Sequence, residues 1–201
     1  MKRYQQYCGL AKALDVVGGR WTLLIVRDLL LGPRRYGEIR GSLPGLTTNL
    51  LAARLKEMEE AEILHKTTLH GMQLYALTAR GRELEPAILA LGGWGWKRMQ
   101  GGPEEDDRLD LRWGILSMKR RYSGIESGHV CLVAGERRFD LRFSPDLLDF
   151  QERQSIDASA QIQGTLEQVR AWLFMGATFE PLEVQGDLSA VARFRSGFGL
   201  R

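Results

Sequence analysis

The segment Thr47–Glu60, "TTNLLAARLKEMEE", narrows the possible folds more than any other part of the chain. Leu51, Leu55 and Met58 recur at i, i+4 and i+7, the spacing of a helix with one buried face. Thr47 stands where an N-cap is expected. At about 100° per residue, Asn49, Ala53 and Lys56 point the other way, and Ala52 lies at the edge of that face. A surface helix usually covers its outer face with Glu and Lys. This one is expected to be nearly bare there, so something broad must be able to approach its backbone.

What precedes and follows it restricts the reading further. Cys8, Ala11 and Leu14 have helical spacing and end at Gly18-Gly19. "RWTLLIVRDLLLG" is an apolar helix stopped by Gly32-Pro33, and "RRYGEIRGSL" is a short helix with Tyr36 and Ile39 expected inward. After the bare-faced helix, "ILHKTT" and "QLYALT" are β-compatible runs joined by "LHGM", a hairpin signal. "LTARGRELEPAILALGGWGW" closes this half as a helix with Leu84, Ile88 and Leu91 at i, i+4 and i+7.

This order is that of a winged helix-turn-helix. A helix that enters a DNA major groove, about 12 Å wide, must be slim. Ala52 and Ala53 let the backbone approach and offer methyl contact to thymine, and Asn49 suits an adenine edge. Lys56 can reach phosphate or guanine. Thr47 and Thr48 at the helix start suit phosphate, as do Arg34 and Arg35 on the preceding segment and Lys66 in the hairpin. Residues 1–101 carry 15 Lys and Arg against 9 Asp and Glu, whereas residues 102–201 carry 13 against 16. Only the first half therefore has the charge balance for a polyanion.

The stretch "CGLAKALDVVGGRWTLLIVRDLLLGPRRYGEIRGSLPGLTTNLLAARLKEMEEAEIL" and the later "YALTARGRELEPAILALGGWG" resemble the HxlR family of bacterial winged-helix transcription regulators. The resemblance covers roughly residues 5–98. It implies a homodimer on an inverted-repeat operator, with Thr47–Glu60 as recognition helix and Ile63–Leu77 as wing. It also places the dimer contact on the first and closing helices, here Leu10, Leu14, Leu84, Ile88, Leu91 and Trp94. Some members of that family use the early cysteine as a thiol sensor. Cys8 is then either a reactive thiol near Lys2, Arg3 and Lys12 or an inert one packed with Ala11 and Leu14. The family's wings usually carry a basic tip, whereas this tip is Leu69-His70-Gly71-Met72. His70 is either a phosphate contact or a solvated loop residue.

"QGGPEEDD", Gln100–Asp107, has linker chemistry and separates domains expected at 1–101 and 104–201. The second half mixes helices and strands: a helix on Leu109, Trp113 and Leu116, a hairpin of "HVCLVA" and "RRFDLRF", and a strand through Ile156–Ile162. A helix on Leu166, Val169 and Leu173 and another on Leu188, Val191, Phe194 and Phe198 follow. The expected fold class is α+β throughout. Ser155–Arg201 resembles the later part of sterol-carrier-protein-like domains: strand, helix, short strand, "GD", final helix. That likeness implies an apolar tunnel, for which Trp172, Phe174, Phe179, Phe194 and Phe198 are candidates, although they could equally fill a core. Arg193 or Arg195 could provide its polar end.

Enzymatic signatures are lacking. His65, His70 and His129 make no metal-ligand spacing with Cys8 or Cys131, and neither a phosphate loop nor a nucleophile elbow is found. No metal or other cofactor is expected. The free, widely spaced cysteines fit a reducing cytoplasm. No run of about 18 apolar residues exists, so no membrane span is expected. "MKRYQQYCGL" lacks the apolar stretch of a secretory signal. The expected partners are double-stranded DNA, a second copy of the chain and an apolar small-molecule effector. A different class stays open, a lipid or small-molecule binding protein whose winged helix serves dimerisation or protein contact.

Overall fold

A computed structural model describes residues 3–99, 104–153, 156–175, 180 and 182–198, with the side chains of residues 174 and 175 outside that description. The chain forms two compact units, residues 1–88 and 89–201. The expected joint at Gln100–Asp107 lies partly outside the described residues.

The first unit begins with four helices: α1 (Gly9–Val17), α2 (Thr22–Leu29), α3 (Tyr36–Ser42) and α4 (Thr48–Glu60). A hairpin of β1 (Leu64–Leu69) and β2 (Met72–Leu77) follows, then α5 (Ala79–Arg82) and α6 (Glu85–Trp96), which runs across the division between the units. Leu51, Leu55 and Met58 of α4 are buried with Ile25, Val26, Leu29 and Ile39, as the periodicity requires. Tyr36, expected inward, is only half-buried.

The hairpin register pairs Leu64 with Leu77 and Leu69 with Met72, leaving a two-residue loop. His70 (φ 48°) and Gly71 (φ 75°) are both left-handed, the signature of a type I′ turn. Glycine adopts that conformation freely, and His is one of the few other residues enriched in it. Arg34 extends the hairpin by a backbone bridge, its N–H donating to the Tyr75 carbonyl (3.0 Å) and its carbonyl accepting from Tyr75 N–H (2.8 Å).

A buried acid ties these elements together. Asp28, 1% exposed on α2, accepts a hydrogen bond from Arg27 Nε (2.9 Å) and one from Ser42 Oγ of α3, and lies 3.6 Å from Arg34 Nη1. One carboxylate thus links α2, the end of α3 and the strand-like Arg34 segment.

The second unit contains α7 (Leu111–Arg121), β3 (Gly128–Ala134), β4 (Arg137–Ser144), β5 (Leu147–Glu152), β6 (Ala160–Gly164), α8 (Leu166–Met175), β7 (Glu183–Gly186) and α9 (Leu188–Ser196). The sheet order is β5-β4-β3-β6-β7, and only β3 and β6 run parallel. Val130, Leu132, Phe139, Leu141, Phe143, Leu148, Phe150, Ala160 and Ile162 share one face by register and are buried. Ile115, Met118, Val169, Leu173, Val191 and Phe194 are buried on α7, α8 and α9.

Both units are mixed α and β, as expected, and the expected hairpin is β3–β4. Several details differ: the strand expected through Ile156–Ile162 begins at Ala160, and the single closing helix of the first half is broken into α5 and α6. Leu116 of α7 is buried as expected, but its buried partners are Leu111, Ile115 and Met118, and the expected Leu109 and Trp113 are only half-buried, because the helix is capped by Asp110, which accepts from Arg112 N–H. Strand β5 was not anticipated, although Leu148 and Phe150 alternate with Asp149 and Gln151 in the required way. Leu188 stands 67% exposed at the start of α9, where Ala190, Val191 and Phe194 form the buried face.

Candidate nucleic-acid interface

Helix α4 begins where Thr47 Oγ1 accepts from Leu50 N–H at 3.4 Å. Its solvent face carries Thr48, Asn49, Ala52, Ala53 and Lys56, all exposed, with Thr47 exposed at the cap. The structure therefore brings six of the expected contact residues onto one side of one helix. The start of α4 is fixed from α3: Tyr36 Oη donates to the Thr48 carbonyl at 2.8 Å. Sequence reasoning missed this tie, since a half-buried tyrosine one helix away gives no local signal.

The charged side chains near this face are mostly paired. Lys56 is 78% exposed with its Nζ 3.8 Å from Glu60 Oε1. Lys66 Nζ donates to Glu59 Oε2 at 2.9 Å, and that carboxylate raises the ammonium's pKa. Arg54 pairs with Glu57, and its guanidinium lies against Gly19. Arg35 is exposed at the N-cap of α3, where its backbone N–H donates to Glu38 Oε2 at 2.6 Å. Arg34 departs from expectation. Its side chain is 11% exposed and turned toward Asp28, because the Tyr75 bridge fixes its backbone beside that buried acid. His70 is exposed at the wing tip.

Cys8 is exposed at the N-cap of α1. The backbone N–H groups of Ala11 and then Leu10 lower its thiol pKa, an effect expected at a helix start. The packed, buried alternative is not what the structure shows: Cys8 is exposed. Cys131, by contrast, is buried in β3, and burial raises its pKa.

Of the expected dimer residues, Leu10, Leu91 (54%) and Trp94 (65%) are exposed, and Leu14, Leu84 and Ile88 are half-buried. Helix α6, "EPAILALGGWGW", has no buried residue at all. Its Leu91, Trp94 and Trp96 leave an exposed apolar patch.

The expected effector residues are split. Phe194 is fully buried, its ring centroid 5.6 Å from Phe143 and 5.2 Å from Phe198, so it belongs to the core. Trp172 and Phe198 line a cavity of about 60 Å³ with Met118 and Arg121. Arg121, exposed at the end of α7, supplies the cavity's charged side chain, the role expected of Arg193 or Arg195. Arg193 instead reaches Ser189, Asp187 and Glu126. Phe179 and the Phe174 side chain fall outside the described residues. Among the described residues no three His, Cys, Asp or Glu side chains are placed to hold a metal, and no helix is long and apolar enough to cross a membrane.

Residues 16–102 match the family model described as HxlR-like helix-turn-helix. The uncharacterized HTH-type transcriptional regulator YybR of Bacillus subtilis is 34% identical over 91 residues, which are 44% of this chain and 73% of that protein. The uncharacterized HTH-type transcriptional regulator sll1512 of Synechocystis is 33% identical over 87 residues, 42% of this chain. The chain spans 64% of that relative's length, just under two thirds. Among solved structures, the redox regulator HypR in its oxidized form is 33% identical, with 45% of this chain and 96% of that one covered at a TM-score of 0.43.

Proposed function

Since the chain belongs to the HxlR-like helix-turn-helix family, we propose that it is a sequence-specific DNA-binding transcriptional regulator, a homodimer on an inverted-repeat operator, and not an enzyme. The observation that carries this reading is the face of α4 where Thr47, Thr48, Asn49, Ala52, Ala53 and Lys56 are exposed, opposite the buried stripe of Leu51, Leu55 and Met58. Such a helix enters a major groove with small side chains against the bases and its capped start against phosphate. Arg35 adds a phosphate contact beside it, His70 lies at the wing tip, and the Tyr36 hydroxyl holds the start of α4 in place. Arg34 supports the wing from inside instead of touching DNA.

Two substitutions test the contacts. Asn49→Ala weakens binding by roughly 1–3 kcal/mol and relaxes preference at one base position, whereas Arg35→Ala weakens all sequences alike. Competition gel shifts against variant operators read both effects. Unchanged affinity and unchanged preference for Asn49→Ala remove α4 from base recognition.

The dimer is formed by α6 with α1, through Leu10, Leu14, Leu84, Ile88, Leu91 and Trp94. Residues 1–101 form the DNA-binding and dimerisation part. Cys8 is a thiol sensor in this scheme, exposed and activated by the helix start. Diamide releases DNA from the wild type and leaves the Cys8→Ser complex intact. Release from Cys8→Ser at the same dose eliminates this role.

We read residues 104–201 as a sterol-carrier-like domain, a reading supported by the order β6, α8, β7, the Asp187 cap and α9 in its later part. They act as the effector domain. The cavity beside Trp172 and Phe198 takes a small apolar carboxylate, with Arg121 as its anion partner. Thermal-shift screening of the full chain against fatty and aromatic acids yields at least one that raises the melting temperature, and Arg121→Ala abolishes that rise. If none does, and high-resolution data show the interior filled, the domain is an interaction module.

A further inference from the structure

Guanine is read in the major groove by Arg or Lys donating to O6 and N7, and cytosine by Asp or Glu accepting from N4. Helix α4 and the segments beside it hold both kinds of side chain, yet they are turned to one another. Arg54 pairs with Glu57, and its guanidinium rests on Gly19. Lys66 holds Glu59 at 2.9 Å, and Arg34 faces Asp28 at 3.6 Å. Glu60, the last residue of α4, lies 3.8 Å from Lys56.

Lys56 is the one exposed cation of α4 that faces the same way as Asn49. It lies seven residues further along, roughly 10 Å at 1.5 Å per residue. Base contacts come from the N-terminal residues of a recognition helix, so Lys56 is placed for a flanking phosphate. What remains for the base edges is the amide of Asn49 and the methyl groups of Ala52 and Ala53. An Asn amide matches adenine N6 and N7, and alanine methyls pack on the thymine C5-methyl. The wing agrees with this. A·T tracts narrow the minor groove and draw Arg, Lys or His into it, and the tight turn presents His70 at its tip.

We infer that each operator half-site is read as A·T pairs, with an adenine at Asn49 and thymine methyls under Ala52 and Ala53, and that α4 reads no guanine. This rests on the DNA-binding reading above and narrows the class of DNA that it selects. The test is selection from a random duplex library with the full chain, followed by affinities of the selected duplexes for wild type, Asn49→Ala and Lys56→Ala. Two-fold symmetric sites emerge with A·T pairs at the central contact positions. Replacing the A·T pair at Asn49 by G·C weakens wild-type binding at least about fivefold and leaves Asn49→Ala indifferent. Lys56→Ala weakens every selected duplex by the same factor. Half-sites with invariant G·C pairs at these positions, or a G·C preference that disappears in Lys56→Ala, overturn the inference while leaving DNA binding intact. Recovery of no preferred sequence overturns both.

Discussion

Ile88→Asp yields monomers that no longer bind the operator. Ile88 sits on α6, a helix with no buried residue, beside Leu84, Leu91 and Trp94. A two-fold dimer contact uses the same patch from both copies, so one substitution places two carboxylates in it. An apolar contact cannot solvate them, and the unpaired charges cost several kcal/mol. Operator binding falls with dimerisation, because each half-site then has to be held by one unit without the gain from tethering. Light scattering reports the mass and gel shift reports the loss. Ile88 is half-buried within its own chain, so Leu91→Asp is the companion variant at a more exposed position. Unchanged helical content with a monomeric mass is expected for both. A stable dimer that binds DNA from either variant refutes the assignment of α6.

Asp28→Ala destabilises the protein by about 3–5 kcal/mol, the range for breaking a buried ion pair from one side. The carboxylate accepts from Arg27 and Ser42 and faces Arg34, and the two arginine side chains are only 18% and 11% exposed. Removing it takes the carboxylate away from two guanidinium groups that have little access to water. Replacement of the whole cluster by apolar residues need not carry the same penalty, so the loss measures stranded charge and not the worth of the pair. Urea unfolding of the wild type and the variant gives the difference. A loss below about 1 kcal/mol, the value of an exposed pair, contradicts the role given to Asp28.

These two residues mark where the sequence could and could not be read. Leu51, Leu55 and Met58 announce the buried side of α4 by spacing alone, and the bare face follows from it. Arg34 looked like a phosphate contact because its local sequence, Arg34-Arg35 after a proline, is basic. Its real partner is Asp28, six residues earlier on α2, and no periodicity connects the two. The Tyr36 hydroxyl was illegible for the same reason, since its acceptor is a backbone carbonyl twelve residues on. Of the residues expected inward on α7, Leu116 is buried, but Leu109 is not part of the stripe because it lies before the cap at Asp110. For the aromatic residues of α8 and α9, composition gives apolar surface but not which rings meet. Phe194 went to the core and Phe198 to the cavity wall. Cys8 was readable as a candidate, but its exposure and the helix-start amides beside it are properties of the fold.

The central claim is that the bare face of α4 binds DNA in a dimer. Titration of the full chain into the duplex upstream of its own coding region, at several salt concentrations, tests it most directly. Two chains bind each duplex, and affinity falls steeply and linearly on a log–log plot against salt, as released phosphate counterions require. One chain per duplex, or an affinity indifferent to salt, would contradict it.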